Sequence, residues 1–393
     1  MEKSNRRSFL KNAAIAGTAA GMSLTTAGFF PGRIYSEENS DFNRVFYRDL
    51  GSTGYKVSEI GFGAMNMRDP ELVHAAIDKG INYIDTAHGY MKGVNEEIIG
   101  RVMKTKRNKV FLTTKIHPRD TYQENVDMLD KSLKRLQTDH VDLLLLHNES
   151  DKKQILRNDF MKFFDDARKK GQTRHIGVST HNPAEILDAS VESRFWEAVL
   201  IAYNYLSPPD VDASIKKARE AGLAIIGMKN LRTTRPRRPI PDIRKDKSGK
   251  TTIQQALIKW VLQNPYIDTT IPGMTSFEHL ADDVAVMGME LSIDERHAIK
   301  QYDENTKGRY CSGVVGCNGC KNKCPNGVEI NEINRCINYA YGYGDIELAR
   351  ENYSELSRLN RVEMCADCEE CVVKCVNGLN LTENIQRARE LFA

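Results

Sequence analysis

The sequence predicts an α/β chain: a (β/α)8 barrel followed by a small, mainly helical domain built on cysteine. Between residues 44 and 290, short apolar runs alternate with amphipathic stretches. Strands alternating with helices imply right-handed βαβ units and a parallel sheet. All nine cysteines lie beyond that region, between Cys311 and Cys375, so a cysteine-free body carries a separate module. At 393 residues the chain exceeds one ordinary domain, and 40% hydrophobic residues suffice for a sizeable core. A net charge of +3 gives no argument for nucleic acid as a partner.

The body opens at Val45 with "VFYRDLGSTGYKVSEIGFG", a hairpin around Gly51-Ser52-Thr53-Gly54. The expected barrel strands are Glu59–Ala64, Tyr83–Ala87, Val110–Ile116, Val141–His147, His175–Ser179, Val199–Tyr203, Ala224–Met228 and Thr269–Ile271. Helices fall between them, as in "PELVHAAIDKG", "NVDMLDKSLKRLQ" and "FMKFFDDARKKG". Eight such units in roughly 250 residues fit a (β/α)8 barrel. The alternative is a doubly wound sheet. "GFGAMN" after the first strand lacks the third glycine and the acidic partner of a G-x-G-x-x-G fingerprint, which weakens that alternative. "LRTTRPRRPIPDIRKDKSGK", residues 231–250, is basic and proline-rich and reads as a long loop.

In such a barrel the chemistry gathers at the C-terminal ends of the strands. Those ends carry Asp85, Lys115, His147, Ser179 and Thr180, with Tyr90 in the loop beyond Asp85. Each has an ordinary reading alone: an Asp caps the next helix, a Lys is solvated, a His is hydrogen-bonded at the rim. Their convergence on one rim is what points to a site. The segments "YIDTAHGY…NEEIIG", "TTKI", "LLLLH", "IGVST", "AYNYL" and "IPGM" resemble the aldo-keto reductases, in order and nearly in register, over residues 44–288.

That resemblance implies a tetrad of Asp85, Tyr90, Lys115 and His147 acting on a small carbonyl or alcohol, a sugar among the candidates. Tyr90 would protonate a carbonyl oxygen that receives hydride. A phenol of ordinary pKa about 10 is a poor acid, and Lys115, held by Asp85, would favour its phenolate. His147 would orient the carbonyl and donate to the developing alkoxide. A nicotinamide cofactor would lie along Ser179, Thr180, Met228, Gly273 and His279. Here the chain departs from the family. Gly273 and His279 replace the Lys and Arg that hold a 2′-phosphate, so NAD(H) is expected over NADP(H). Met228 replaces the stacking Tyr, Thr180 an Asn and Leu200 a Gln. Arg235, Arg237 and Arg238 in the basic loop read either as a cover for a pyrophosphate or as solvated charge. Two other functions stay open: a non-redox sugar-active enzyme in which Tyr90 and Lys115 only move protons, and an electron-transfer module whose barrel docks a partner.

The tail, residues 306–393, holds two cysteine runs, "CSGVVGCNGCKNKCPNGVEI" and "CADCEECVVKCVNGLNL". The second resembles the bacterial ferredoxin run C-x2-C-x2-C-x3-C without its Pro, and the first is C-x5-C-x2-C-x3-C-P. They align as an internal repeat, with Cys317, Cys320, Cys324, Asn326 and Gly327 matching Cys368, Cys371, Cys375, Asn377 and Gly378. The two-cluster ferredoxin pattern implies one [4Fe–4S] cluster on Cys311, Cys317, Cys320 and Cys375. It implies a second on Cys365, Cys368, Cys371 and Cys324. Such clusters serve structure or pass electrons to a redox partner protein. Zinc and disulfides are the alternatives, although zinc sites made of four cysteines usually pair two separated knuckles. Cys336 matches nothing and reads as a buried thiol. "IELARENYSELSRL" reads as a helix.

"NRRSFLKNAAIAG", within residues 1–35, resembles a twin-arginine signal, which exports folded proteins through the twin-arginine translocase. Its apolar stretch contains Gly and Thr and is a poor permanent span. A folded-export address suits a chain whose clusters would be assembled inside the cell, and it implies a periplasmic or otherwise exported protein. Replacing Arg6 and Arg7 together by Lys is expected to hold the protein in the cell. Normal yield in the periplasm would refute the address.

Overall fold

The computed structural model describes residues 34–35, 45–117, 121–231, 243–244, 250–311, 317, 319–342, 344–354, 356–365, 368 and 371–392. The signal region apart from Ile34–Tyr35, and Arg235, Arg237 and Arg238 of the basic loop, lie outside the described residues. The chain divides into two compact units. One holds residues 1–203, 210–230 and 258–290; the other holds 204–209, 231–257 and 291–393.

The first unit is a closed parallel barrel. Its strands are β4 (Phe62–Gly63), β5 (Tyr83–Asp85), β6 (Phe111–Ile116), β7 (Val141–Leu146), β8 (Thr173–Thr180), β9 (Ala198–Ala202), β10 (Ala224–Met228) and β13 (Thr269–Thr270). They pair in chain order, and parallel bridges Ile60↔Thr270 and Gly63↔Gly273 join the last strand to the first. Each expected strand is present. The barrel, not the doubly wound sheet, forms because residues 59–63 have a parallel partner in residues 270–274. Gly63 is required at this seam: a Cβ there would stand 2.7 Å from the carbonyl oxygens of both Ile271 and Pro272.

Side chains alternate across each strand, and the inward set builds the interior. Tyr83, Phe111, Leu143, Leu145, Ala198, Leu200, Ala224, Ile226 and Ile271 form one buried cluster. Below them lies the expected hairpin, β2 (Phe46–Asp49) against β3 (Lys56–Ser58), extended by β1 (Ile34–Tyr35). Its Leu50 and Val57 are part of the same cluster, so the hairpin is the barrel floor. A buried Arg48 fastens it. The guanidinium donates to Glu59 at 2.9 Å and to the carbonyls of Leu262 and Ile267 at 2.7 Å each.

The helices begin and end as their sequences direct. Asp69 caps Pro70–Asp78, with Pro in the first turn. Thr121 and Glu124 form a capping box on Tyr122–Leu136. Among the described residues no helix is long and apolar enough to cross a membrane.

The second unit is mainly helical, with Ile293–Thr306, Ile330–Ile337, Ile346–Ser354 and Leu381–Phe392. It also holds a short antiparallel pair, β11 (Ile243–Arg244) and β12 (Lys250–Thr251), within the stretch expected to be a loop. Its last segment begins at residue 291, directly after the expected end of the barrel at 290. The Ile293–Thr306 helix belongs to this unit, where Tyr302 meets Tyr205 edge-on at 6.5 Å. The helix expected through Leu359 ends at Ser354, where Arg361 takes its terminal carbonyl and that of Leu356, at 2.7 and 2.9 Å. The core gathers Val328, Ile330, Ile333, Cys336, Val362 and Leu381.

Asp283, on the Phe277–Val284 helix of the barrel unit, is buried, and its Oδ2 has no hydrogen-bond partner among the described residues. Burial, then the Asp282 charge, pushes its carboxyl up to about 8. Its folded pKa lies above that of the unfolded chain, so the fold holds an extra proton between about pH 4 and 8. Stability from this group is fully present in acid and is lost as pH rises through that window, by about 1.4 kcal/mol per pH unit. Asp283→Asn is expected to raise the unfolding temperature at pH 8 and to flatten its slope between pH 6 and 8. Equal slopes in thermal melts would refute the assignment.

Candidate active site

The inward alternation that fills the interior also places the polar rim. Tyr83 leads to Asp85, Phe111 through Thr113 to Lys115, Leu145 to His147, and Ile226 to Met228, each two residues further along the same face. The Lys115 ammonium is 1% exposed. It donates to Asp85 Oδ2 at 2.6 Å, to the Thr86 carbonyl at 2.7 Å and to the Tyr90 hydroxyl at 3.1 Å. An ammonium has three donors, and all three are engaged. Burial lowers the Lys115 pKa and the Asp85 charge raises it again; Lys229, the residue after Met228, depresses it further. Burial raises the Asp85 pKa against the pull of Lys115.

Tyr90 opens a short turn, Tyr90–Gly93, in which Met91 and Lys92 are left-handed. Gly93, at φ 95°, is needed there: a Cβ would stand 2.2 Å from the Arg135 guanidinium. Arg135 pairs with buried Glu96 at 3.3 Å. Glu96 in turn accepts from Thr114 at 2.7 Å, and Thr86 donates to Asn95 at 2.6 Å. The Val94–Lys106 helix is thus tied to β5 and β6 beside Tyr90. His147 meets the Tyr90 ring edge-on at 5.7 Å, and His117 lies over His147 at 4.2 Å.

Asp85, Tyr90, Lys115 and His147 therefore converge. The other rim residues take more local roles. Ser179 Oγ accepts from the Asn148 amide at 2.8 Å and Thr180 Oγ1 from the Asn182 amide at 2.9 Å, so both hydroxyls shape the loops above β8. Leu200 is buried in the interior rather than at the rim. Gly273 forms the seam bridge with Gly63. His279 lies in the first turn of Phe277–Val284, beside Thr275 Oγ1 at 3.2 Å. His117 and Lys229 were not singled out from the sequence. Each directly follows a strand-end residue, and that position was their only signal.

The tail gathers its cysteines in two groups. One pocket is lined by Cys311, Cys317, Cys320 and Cys375. Around Cys365 stand Cys324, Cys368 and Cys371. Burial, then the neighbouring Cys317 and Cys375, pushes the Cys320 thiol up to about 11. Burial and then Cys324 raise that of Cys365. Cys336 is fully buried in the unit's core. Among the described residues no three His, Cys, Asp or Glu side chains are arranged to hold a single metal ion.

Comparison with known proteins agrees with the barrel. Residues 59–238 match the Aldo/keto reductase family. A methylglyoxal reductase of Salmonella typhimurium is 25% identical over 259 residues, 64% of this chain and 95% of that protein. A 6-dehydroglucose reductase of Novosphingobium aromaticivorans is 33% identical over 191 residues, 42% of this chain and 61% of that protein. An aldo/keto reductase of Klebsiella pneumoniae, solved in complex with NADP and acetate, superposes with a TM-score of 0.53 at 23% identity. It covers 64% of this chain and 94% of its own. Over residues 59–238 the barrel of this chain is similar to the Aldo/keto reductase family.

Proposed function

We propose that the protein is an exported oxidoreductase that interconverts a carbonyl and an alcohol with a nicotinamide cofactor, and that its tail carries two [4Fe–4S] clusters. The observation that carries the catalytic half is the buried Lys115 ammonium, divided among Asp85, Thr86 and Tyr90. A bound nicotinamide would supply hydride to the carbonyl carbon. Tyr90 gives its phenolic proton to the carbonyl oxygen, completing the alcohol. Lys115, donating to the phenol oxygen, stabilises the phenolate left behind. Asp85 keeps Lys115 charged against the burial that would neutralise it. His147, beside Tyr90, donates to the oxygen as negative charge develops on it, and His117 limits the turning of its ring. The names of the two reductase relatives support a small carbonyl substrate, a sugar among them.

A nicotinamide fits the rim in part. A Cβ at exposed Gly273 would meet nothing within 4 Å, so there is room beside it, and with Gly273 and His279 standing where the family's Lys and Arg hold a 2′-phosphate, NAD(H) is the favoured cofactor. The same two replacements favour, as a second reading, a nicotinamide-free enzyme in which Tyr90 and Lys115 only transfer protons. Tyr90→Phe is expected to lower carbonyl turnover by roughly 10²-fold or more while NADH binding is unchanged, with NADH bound more tightly than NADPH. Tighter NADPH binding would overturn the preference, and binding of neither would favour the second reading.

The fit for clusters rests on the donor set. Four thiols line one pocket, and three more stand around Cys365. That suits a polynuclear core, whose ligands each bind a different iron. Thiols pushed upward by burial and by one another ionise readily only against a cationic centre. Anaerobic protein is expected to hold about eight irons per chain and to bleach with dithionite. Cys371→Ser should lose one cluster and Cys336→Ser neither. Colourless protein with stoichiometric zinc would refute the clusters.

A further inference from the structure

The two cysteine runs each continue into the same short device. After Cys324 and after Cys375 the chain reads Asn-Gly at the second and third positions. In each the glycine amide bonds back to the cysteine carbonyl, Gly327 to Cys324 at 3.1 Å and Gly378 to Cys375 at 3.2 Å. Both glycines are left-handed, at φ 74° and 75°, which closes the turn and turns the asparagine across to the other repeat. Asn326 donates its side-chain amide to Cys368 Sγ at 3.5 Å, and also to the Met364 carbonyl at 3.2 Å. Asn377 donates to Cys317 Sγ at 3.4 Å, and its backbone amide donates to Cys375 Sγ at 3.4 Å. Cys317 and Cys368 occupy equivalent places in the repeat. Two different stretches of chain thus make the same sulfur-directed contact.

We propose that Asn326 and Asn377 are paired potential-setting residues, each donating to a cysteine sulfur of the cluster that the other repeat largely builds. This rests on the reading that the tail holds two iron–sulfur clusters. An N–H aimed at a cluster thiolate withdraws negative charge from the sulfur. It therefore favours the reduced state, in which more negative charge must be held, and raises the potential. Neither asparagine is a ligand. They act through Cys368 and Cys317, so each affects one cluster. Asn377 is half-buried and Asn326 exposed. Water replaces a lost donor more readily at Asn326, so removing Asn377 has the larger effect.

The test is a redox titration of the anaerobically prepared full chain, followed by electron paramagnetic resonance, with iron counted in the same samples. Asn377→Ala and Asn326→Ala should each keep the wild-type iron and move one transition, a different one in each variant, to more negative potential. Asn377→Asp and Asn326→Asp keep the shape but exchange the donor for a negative charge. They should move the same transitions further. Unchanged midpoints at full iron would overturn the tuning role while leaving the clusters intact. Loss of one cluster from both substitutions at a site would overturn it in favour of a purely structural role. Wild-type protein without iron would overturn the cluster reading itself, and this inference with it.

Discussion

The backbone bonds between residues 59–63 and 270–274 decide what the first unit is. Gly61 donates to Thr270 at 2.8 Å, Thr270 to Glu59 at 3.0 Å and Gly63 to Pro272 at 3.1 Å. Without them the sheet would keep two open edges, and β5, β6 and β7 would end along a line. With them the strand ends form a ring, and residues far apart in sequence face one another. The seam tolerates no side chain at Gly63. The absence of a Cβ at one residue is therefore a condition for the convergence of Asp85, Lys115 and His147.

Inside the ring, polar rim and apolar interior obey the same alternation, and the rim is costly. Lys115 and Asp85 are both out of water, and a buried pair gains little net stability over a well-packed apolar one. The fold bears that cost because the pair is over-determined. The Thr86 carbonyl and Tyr90 hydroxyl complete the ammonium, and the Glu96–Arg135 pair holds the neighbouring helix. A lysine held still beside a phenol suits the proposed proton transfer and adds little stability.

Much of this was legible in the sequence because it follows a period. Strand positions came from apolar runs between helical patterns, and Asp85, Lys115 and His147 from the polar breaks in those runs at their C-terminal ends, while their union with Tyr90 as a tetrad came from the resemblance to the aldo-keto reductases. His117 and Lys229 were not legible, because a residue just past a strand end carries no periodic mark and its direction depends on the loop. The break after Ser354 was hidden for another reason: Arg361, seven residues downstream, caps that helix, while the intervening residues still read as amphipathic. Leu200 could be aligned to a polar position but not placed, since whether a strand residue lines rim or interior depends on its height in the barrel. In the tail the spacing of the cysteines suggested two groups, whereas the aim of Asn326 and Asn377 follows from turn geometry that spacing does not encode.

The hairpin under the barrel has a kinetic consequence. Leu50 and Val57 pack into the interior, so among the described residues the floor of the barrel is filled. A hydride donor and its acceptor would have to come in over the same rim. Whichever lies deeper must then arrive first and depart last. Compulsory order of binding, and a slow final departure, would follow from how the bottom of the barrel is plugged, whatever the chemistry at the top.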